Sequence, residues 1–143
     1  MGSNLRQFVG ILTLPATRQG FRDLTSTIEG WLRERGVVSG LLTVFVRHTS
    51  ASILIQENAD PDVLHDLAAF FARLAPEDSR LYAHTSEGSD DMPAHIKSAL
   101  TQTSIAIPVI EGALALGRWQ GIYLFEHRRS AGPREIALHL SGE

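Results

Sequence analysis

Hydrophobic positions along the chain follow two different periods. Short runs rich in Val, Ile, Leu and Phe, at 5–14 and from residue 104 onward, are typical of β-strands. Residues 21–35 and 61–74 instead repeat apolar side chains at helical spacing, and a shorter repeat of this kind follows Pro93. The pattern predicts two long amphipathic helices, one short helix and a larger number of strands.

Two of the helix ends carry recognisable signals. Asp60 can accept hydrogen bonds from the free amides of a helix N-terminus, and Pro61 suits its first turn. Asp62 complements the helix dipole. Gly36 can adopt the left-handed conformation that ends many helices. We therefore expect one helix to begin at Asp60-Pro61 and another to end at Gly36.

The order of the elements indicates the fold class. Several strands follow one another without an intervening helix, which argues against a doubly wound parallel sheet. We predict a single α+β domain over residues 1–143, with mostly antiparallel sheets packed against two longer helices and one short helix. The predicted strands are 5–14, 41–47, 52–56, 104–110, 113–117, 119–127 and 134–140.

Composition excludes several classes of function. The 143 residues carry a formal charge of −3 and no Lys/Arg cluster, so we expect no nucleic-acid partner. The lack of cysteine excludes disulfides, thiolate zinc sites and a cysteine nucleophile. No apolar run reaches the roughly 18 residues of a membrane helix, and no signal-peptide pattern opens the chain. The expected location is cytoplasmic, without membrane association.

Polar, chemically versatile residues concentrate in the segments 48–52, 56–58 and 84–95. Imidazole suits Zn²⁺ and carboxylate suits Mg²⁺. If His48, His84 and His95 converge, they form a three-histidine zinc site with an open fourth position. The competing arrangement is a Mg²⁺ site on Asp90 and Asp91.

Each of these features also has a purely structural interpretation. Asp90 and Asp91 can serve only as a helix cap, and His48 only as a strand-end histidine bonded to backbone. Glu57 can be a solvated loop residue. His65 and His139 are predicted to be non-functional, and the aromatic strand 119–127 to be core or subunit interface.

Four motifs together resemble the YjbQ-like family, often labelled secondary thiamine-phosphate synthase enzymes, and the similarity runs from about Phe8 to Gly142. One position departs from the family pattern, since Gly117-Arg118 stands where Gly-Thr or Gly-Ser is expected. The motifs are His48-Thr49-Ser50-Ala51-Ser52, Gln56-Glu57-Asn58-Ala59-Asp60-Pro61, Asp90-Asp91-Met92-Pro93-Ala94-His95-Ile96-Lys97 and Gly117-Arg118-Trp119-Gln120-Gly121-Ile122-Tyr123.

The resemblance implies a β-rich α+β fold, a homotrimer, a polar cleft lined by these motifs, and a weak thiamine-phosphate synthase activity. Such an enzyme joins a pyrimidine pyrophosphate to a thiazole phosphate, or carries out another metal-assisted reaction on a phosphorylated metabolite. The alternative is a non-catalytic trimer that binds a metabolite or metal.

For the enzyme we assign three sets of residues. A divalent metal, Zn or Mg, is assigned to His48, His84 and His95. Glu57 and Asp91 are assigned catalytic or ligand-orienting roles. Contacts to a small phosphorylated substrate are assigned to Thr49, Ser50, Asn58, Lys97, Gln120 and Arg128.

Overall fold

The computed structural model describes residue 2 and residues 4–143, and this part of the chain contains eight strands, three α-helices and a short 3₁₀ turn at Ser79–Leu81. The strands are β1 (Arg6–Leu14), β2 (Gly20–Asp23), β3 (Gly40–Val46), β4 (Ala51–Glu57), β5 (Ser104–Ile110), β6 (Ala113–Leu114), β7 (Gln120–Glu126) and β8 (Arg134–Gly142). The helices are α1 (Thr25–Arg33), α2 (Pro61–Leu74) and α3 (Asp91–Leu100).

The strands form two antiparallel sheets. The larger has the order β1-β8-β3-β5-β6 and the smaller the order β2-β7-β4. The first and last strands pair along their whole length, from Arg6 opposite Gly142 to Leu14 opposite Arg134. Both ends of the chain thus share one sheet, and the prediction of an α+β fold with antiparallel sheets is confirmed.

The hydrophobic core lies where the buried faces of both sheets meet. The larger sheet contributes Leu42 and Leu140, the smaller contributes Ile53 and Ile122, and α1 contributes Ile28, all completely buried. Along β3 and β8, buried side chains alternate with exposed or half-buried ones, as expected of a sheet with one packed face. The core therefore fixes the relative position of the two sheets.

Helices α2 and α3 cover the other face of the small sheet. The ring of Phe71 on α2 meets that of Phe125 on β7 at 5.6 Å between centroids, and Ser98 on α3 bonds to the carbonyl of Ala51 on β4. None of the described helices is long and apolar enough to cross a membrane. The predicted start of α2 is confirmed, since Asp60 accepts a hydrogen bond from the amide of Asp62 at 2.9 Å.

The predicted helix over 21–35 is wrong at its start. Residues 20–23 form β2, in which Phe21 stacks on Phe125 at 4.0 Å, and the helix begins only at Thr25. Tertiary stacking and strand pairing here override the helical spacing of Phe21 and Leu24. The short third helix begins at Asp91, so Pro93 lies inside its first turn. Gly36 follows α1 with φ +65°, as predicted.

Candidate functional site

One side-chain cluster brings together two of the predicted metal ligands and one predicted catalytic residue. His84 Nε2 lies 2.6 Å from Asp91 Oδ2, and His95 Nε2 lies 3.1 Å from the same oxygen. One ligand atom from each of the three residues lies within 4.8 Å of the other two. We call His84, Asp91 and His95 the HDH cluster.

Helix α3 and the loop before it position the HDH cluster. Asp91 and His95 lie one turn apart on α3 and therefore face the same side. The loop that carries His84 is anchored at one end by the hydroxyl of Tyr82, which donates to the carbonyl of Pro76 at 2.8 Å. At its other end Gly88 has φ +108°, a conformation that favours glycine.

The backbone of the His48–Ser52 segment determines which nitrogen of His95 faces Asp91. His95 Nδ1 lies 2.9 Å from the carbonyl oxygen of Thr49, which can only accept a hydrogen bond, so Nδ1 carries the proton. In a neutral imidazole this leaves a lone pair on Nε2, 3.1 Å from the Asp91 carboxylate. Two acceptors face each other there, and a cation or a proton between them makes the contact favourable.

Arg128 holds the Asp91 carboxylate from the opposite side. Its Nη1 lies 2.8 Å from Asp91 Oδ1, while its Nε bonds to Asp90 at 3.0 Å and its Nη2 to the carbonyl of Glu87 at 2.9 Å. Burial alone would raise the pKa of Asp91, but the hydrogen bond from His84 and the charges of Arg128 and His95 lower it below its ordinary value. Asp91 is therefore an anion at neutral pH.

Asp90 is not a side-chain cap of α3, although it occupies the N-cap position. Its carboxylate instead accepts hydrogen bonds from Arg128 Nε and from the backbone amide of Arg129, at 3.0 and 2.9 Å. Burial acts to raise the pKa of Asp90, yet these hydrogen bonds bring it below the ordinary value. The purely capping interpretation of Asp90 is wrong, because this side chain joins α3 to the segment after β7.

His48 lies outside the HDH cluster. Its Nε2 accepts a hydrogen bond from the amide of Glu135 at 2.7 Å, so this lone pair is already used. Burial, followed by the charge of Arg134, lowers the pKa of His48. The structure thus brings His84 and His95 together with Asp91, and His48 lies apart from these three residues. His48 does share a cavity of about 270 Å³ with Thr49 and His95.

Ser50 is bound to a buried ion pair instead of facing this cavity. Arg134 Nη2 donates to both the hydroxyl and the carbonyl of Ser50, at 3.0 and 3.1 Å. Arg134 in turn forms a two-pronged ion pair with the fully buried Glu126, at 2.7 and 2.5 Å. Sequence reasoning missed this pair, since strand alternation does not show that Glu126 and Arg134 face each other across the turn.

Three other predicted site residues lie at the far end of β4. Glu57, Asn58 and Gln120 gather there: Asn58 bonds to the carbonyl of Gln120, and Glu57 pairs with Gln120 in the strand register. Glu57 is six residues along β4 from Ala51, roughly 20 Å at the usual rise of a strand. Within one chain, Glu57, Asn58 and Gln120 therefore lie apart from the HDH cluster, and their assignment to a substrate site stays a prediction.

The chain also resembles proteins of known sequence. The family model described as UPF0047 protein YjbQ-like matches residues 11–143. The UPF0047 protein sll1880 of Synechocystis is 55% identical over 141 residues, covering 99% of this chain and 96% of that protein. The UPF0047 protein YjbQ of Escherichia coli O157:H7 is 46% identical and covers 92% and 96%, respectively.

Solved structures show the same fold. A YbjQ-like protein of unknown function from Sulfolobus solfataricus superimposes with a TM-score of 0.88 at 24% identity, covering 98% of this chain and all of that one. A conserved hypothetical protein from Thermus thermophilus superimposes with a TM-score of 0.79 at 35% identity, covering 90% and 97%. Since the family model and these relatives cover nearly the whole sequence, the chain belongs to the YjbQ-like UPF0047 family.

Proposed function

We propose that the chain is a cytoplasmic, metal-assisted enzyme that acts on a small phosphorylated metabolite, with a divalent transition-metal ion held by His84, Asp91 and His95. The observation that carries the proposal is the contact between His95 Nε2 and the Asp91 carboxylate. The backbone of Thr49 turns Nε2 of His95 toward an anion, so that a proton or a cation must lie between the two atoms, and we propose that a metal ion takes this position.

The dimensions of the HDH cluster support a metal of zinc type. With bonds of about 2.0–2.1 Å, ligand atoms of a tetrahedral ion lie about 3.3 Å apart. The His95 to Asp91 distance of 3.1 Å is close to this value, and the His84 to Asp91 distance of 2.6 Å requires a small shift. His84 can make it because 40% of its side chain is exposed. Two imidazoles and one carboxylate suit Zn²⁺ better than Mg²⁺.

The surrounding charges favour an anionic substrate. Arg128 and Arg129 face three carboxylates, those of Asp90, Asp91 and Glu77, so a divalent ion would give this group of side chains a net positive charge. The cavity of about 270 Å³ beside His95 offers space for a substrate next to such an ion. A bound ion would supply Lewis acidity toward a phosphoryl oxygen, and it leaves a fourth position open.

Residues of the chain itself provide orientation around the ion. The Thr49 carbonyl fixes the ring of His95, and Arg128 fixes the Asp91 carboxylate, as is usual for groups behind metal ligands. The transfer that releases pyrophosphate, implied by the family resemblance, is one reaction of this class. Hydrolysis of a phosphorylated metabolite is another, and both require the same positioning of a phosphate.

The first test measures metal binding. We expect the purified chain to retain close to one Zn²⁺ per chain through dialysis, measured by elemental analysis. His95→Ala and Asp91→Asn are expected to weaken the affinity by 10-fold or more. His65→Ala removes an exposed histidine on α2 and is the matched control, which should bind as tightly as the native chain. Equal metal content in all four proteins would contradict the proposed site.

The second test measures turnover. The zinc-loaded chain is incubated with a panel of phosphorylated metabolites, including the pyrimidine pyrophosphate and thiazole phosphate pair, and released phosphate or pyrophosphate is quantified. We expect release to depend on metal and to be lost in His95→Ala but not in His65→Ala. Retained metal without turnover of any compound would favour the alternative, a non-catalytic trimeric module that binds a metabolite or metal.

We propose in addition that the chain assembles as a homotrimer. An apolar patch on the outer face of the large sheet, with Val9, Ile11 and Phe45 exposed, supports an interface between copies. Light scattering should give about three times the chain mass of 15.7 kDa. Phe45→Lys is expected to lower that mass, whereas Phe70→Lys on the exposed side of α2 serves as the control. A monomer mass for the native chain would refute this part.

A further inference from the structure

The only lysine of the chain lies inside the protein, against a small cavity separate from the HDH cluster. Lys97 is on α3 and only 5% exposed. The cavity of about 130 Å³ lies between α2, α3 and β7, and it is lined by Gln19, Gly20, Ala68, Ala72, Lys97 and Phe125. At about 30 Å³ per water molecule, its volume corresponds to roughly four waters.

The Lys97 charge has no close partner. Its ammonium group forms no ion pair within the described part of the chain, and Glu77 and Asp90 act on it only through space. Lys97 Nζ keeps some contact with solvent, since His127 Nδ1 is the only fully buried side-chain polar atom without a partner among the described residues. An ammonium group that is largely removed from water still favours a counter-charge. The cavity beside Lys97 is where a counter-ion would fit.

A second buried side chain near the cavity, that of His127, has one ring nitrogen without a hydrogen-bond partner among the described residues. His127 is completely buried, and its Nε2 pairs with the hydroxyl of Ser52 at 2.9 Å. Its Nδ1 has no hydrogen-bond partner among the described residues. The ring of His127 lies 4.3 Å from that of Phe125, and its carbonyl accepts a hydrogen bond from Gln19 at 2.8 Å. Two residues that line the cavity thus contact His127 directly.

The character of the lining indicates which anion fits. Glu77 and Asp90 bring negative charge near Lys97, which disfavours a phosphate or any other dianion. The walls formed by Ala68, Ala72 and Phe125 are apolar and suit a short hydrocarbon group. A molecule of two or three carbons with one carboxylate matches the charge, the volume and the lining.

We infer that this cavity is a binding site for a small monocarboxylic acid, whose carboxylate pairs with the ammonium group of Lys97. The site is distinct from the HDH cluster and is independent of the function proposed for it. A carboxylate at Lys97 supplies the missing counter-charge. The hydrocarbon end then contacts the alanine side chains of α2.

The single lysine makes a direct test possible. In protein labelled with ¹³C and ¹⁵N at lysine, the side chain gives one set of resonances, so no assignment is needed. Sodium acetate is titrated into metal-free protein, with sodium chloride at equal ionic strength as the reference. We expect a saturable shift of the Lys97 ¹³Cε signal with a Kd of about 1 mM, a value typical of so small a ligand. A linear shift identical to that with chloride would overturn the proposal.

A variant experiment supplies a second readout. Acetate binding is followed on the methyl signal of the ligand, by saturation transfer from the protein. Lys97→Met, which removes the charge but keeps an unbranched side chain, is expected to raise the Kd at least about 10-fold. Arg73→Met removes one charge from an exposed position on α2 and should bind as the native chain does. Equal affinity in both variants would contradict the role of Lys97.

Discussion

The buried ion pair between Arg134 and Glu126 is the place where a single substitution should do the most damage to stability. Arg134→Met keeps much of the side-chain volume and removes the guanidinium. Glu126, which is fully buried, then loses both hydrogen bonds from Arg134. Its carboxylate keeps only the hydrogen bond from the backbone amide of Arg128, at 3.1 Å. Ser50 loses its donor as well.

Removing one partner of a buried pair costs about 3–5 kcal/mol, because the remaining charge stays buried without compensation. A domain of this size is stable by about 5–15 kcal/mol, so the loss is a large part of the total. With a urea slope of about 2 kcal/mol per M, the unfolding midpoint should fall by about 2 M.

Urea unfolding followed by tryptophan fluorescence at one fixed protein concentration measures this difference. Arg47→Met is the matched control: it removes the same group from the pair Arg47–Glu135, which has a contact of 2.6 Å but half-exposed side chains. Its expected cost is at most about 1 kcal/mol. Glu126→Leu combined with Arg134→Met should recover much of the stability. If Arg134→Met costs no more than Arg47→Met, the argument from burial is refuted.

Three further outcomes are expected. Gly142→Ala should cost about 2–3 kcal/mol in urea unfolding, because the new methyl group would lie 2.8 Å from Gly40 Cα; a loss under about 0.5 kcal/mol would contradict this. Asp60→Ala should cost about 1 kcal/mol through the lost cap of α2, while Asp60→Asn should be nearly neutral. The lowered pKa of Asp90 means that its contribution to stability is complete above about pH 4 and is lost as the pH falls below that value. Asp90→Asn should therefore reduce the fall of the free energy of unfolding at acidic pH. An unchanged pH dependence would contradict the contribution of the Asp90 carboxylate to stability.

Local signals in the sequence predicted those elements whose ends are determined by nearby residues. Asp60-Pro61 fixes the start of α2 through one cap hydrogen bond, and Gly36 provides the left-handed residue after α1. Most strands were predicted from short runs rich in Val, Ile, Leu and Phe, although the predicted strand 113–117 is a strand only over Ala113–Leu114. The segment around Phe21 was misjudged because its partner, Phe125, lies about a hundred residues away. The spacing of apolar residues within a short stretch of sequence contains no information about such a distant partner.

Only part of the candidate site could be predicted from the sequence, because backbone groups distant in the chain determine which histidines are available. Residue types made His48, His84 and His95 candidate metal ligands, and Asp91 a catalytic residue or a ligand of the competing Mg²⁺ site. Which of the histidines come together depends on the backbone. The amide of Glu135 uses the Nε2 lone pair of His48, whereas the carbonyl of Thr49 leaves the Nε2 lone pair of His95 available. Both effects come from groups that every residue possesses, so no side-chain motif can reveal them.

Three polar side-chain networks of the described residues meet at the carboxyl end of β7. Glu126 points to Arg134, His127 to Ser52, and Arg128 to the two aspartates at the start of α3. The backbone amide of Arg128 is itself bonded to Glu126. We therefore expect the position of Arg128 to depend on the buried ion pair.

This dependence gives the ion pair a second measurable consequence. Since Arg128 fixes the carboxylate of Asp91, disturbing Glu126 should also loosen the HDH cluster. We expect Arg134→Met to weaken zinc binding by about 10-fold or more while leaving the three ligands unchanged, the effect typical of groups behind the ligands. Competition with a chromophoric chelator measures that affinity. The measurement is made without urea, at a temperature at which the variant is folded. Arg47→Met should bind as the native chain does, and equal affinity for all three proteins would show that Asp91 is held independently of β7.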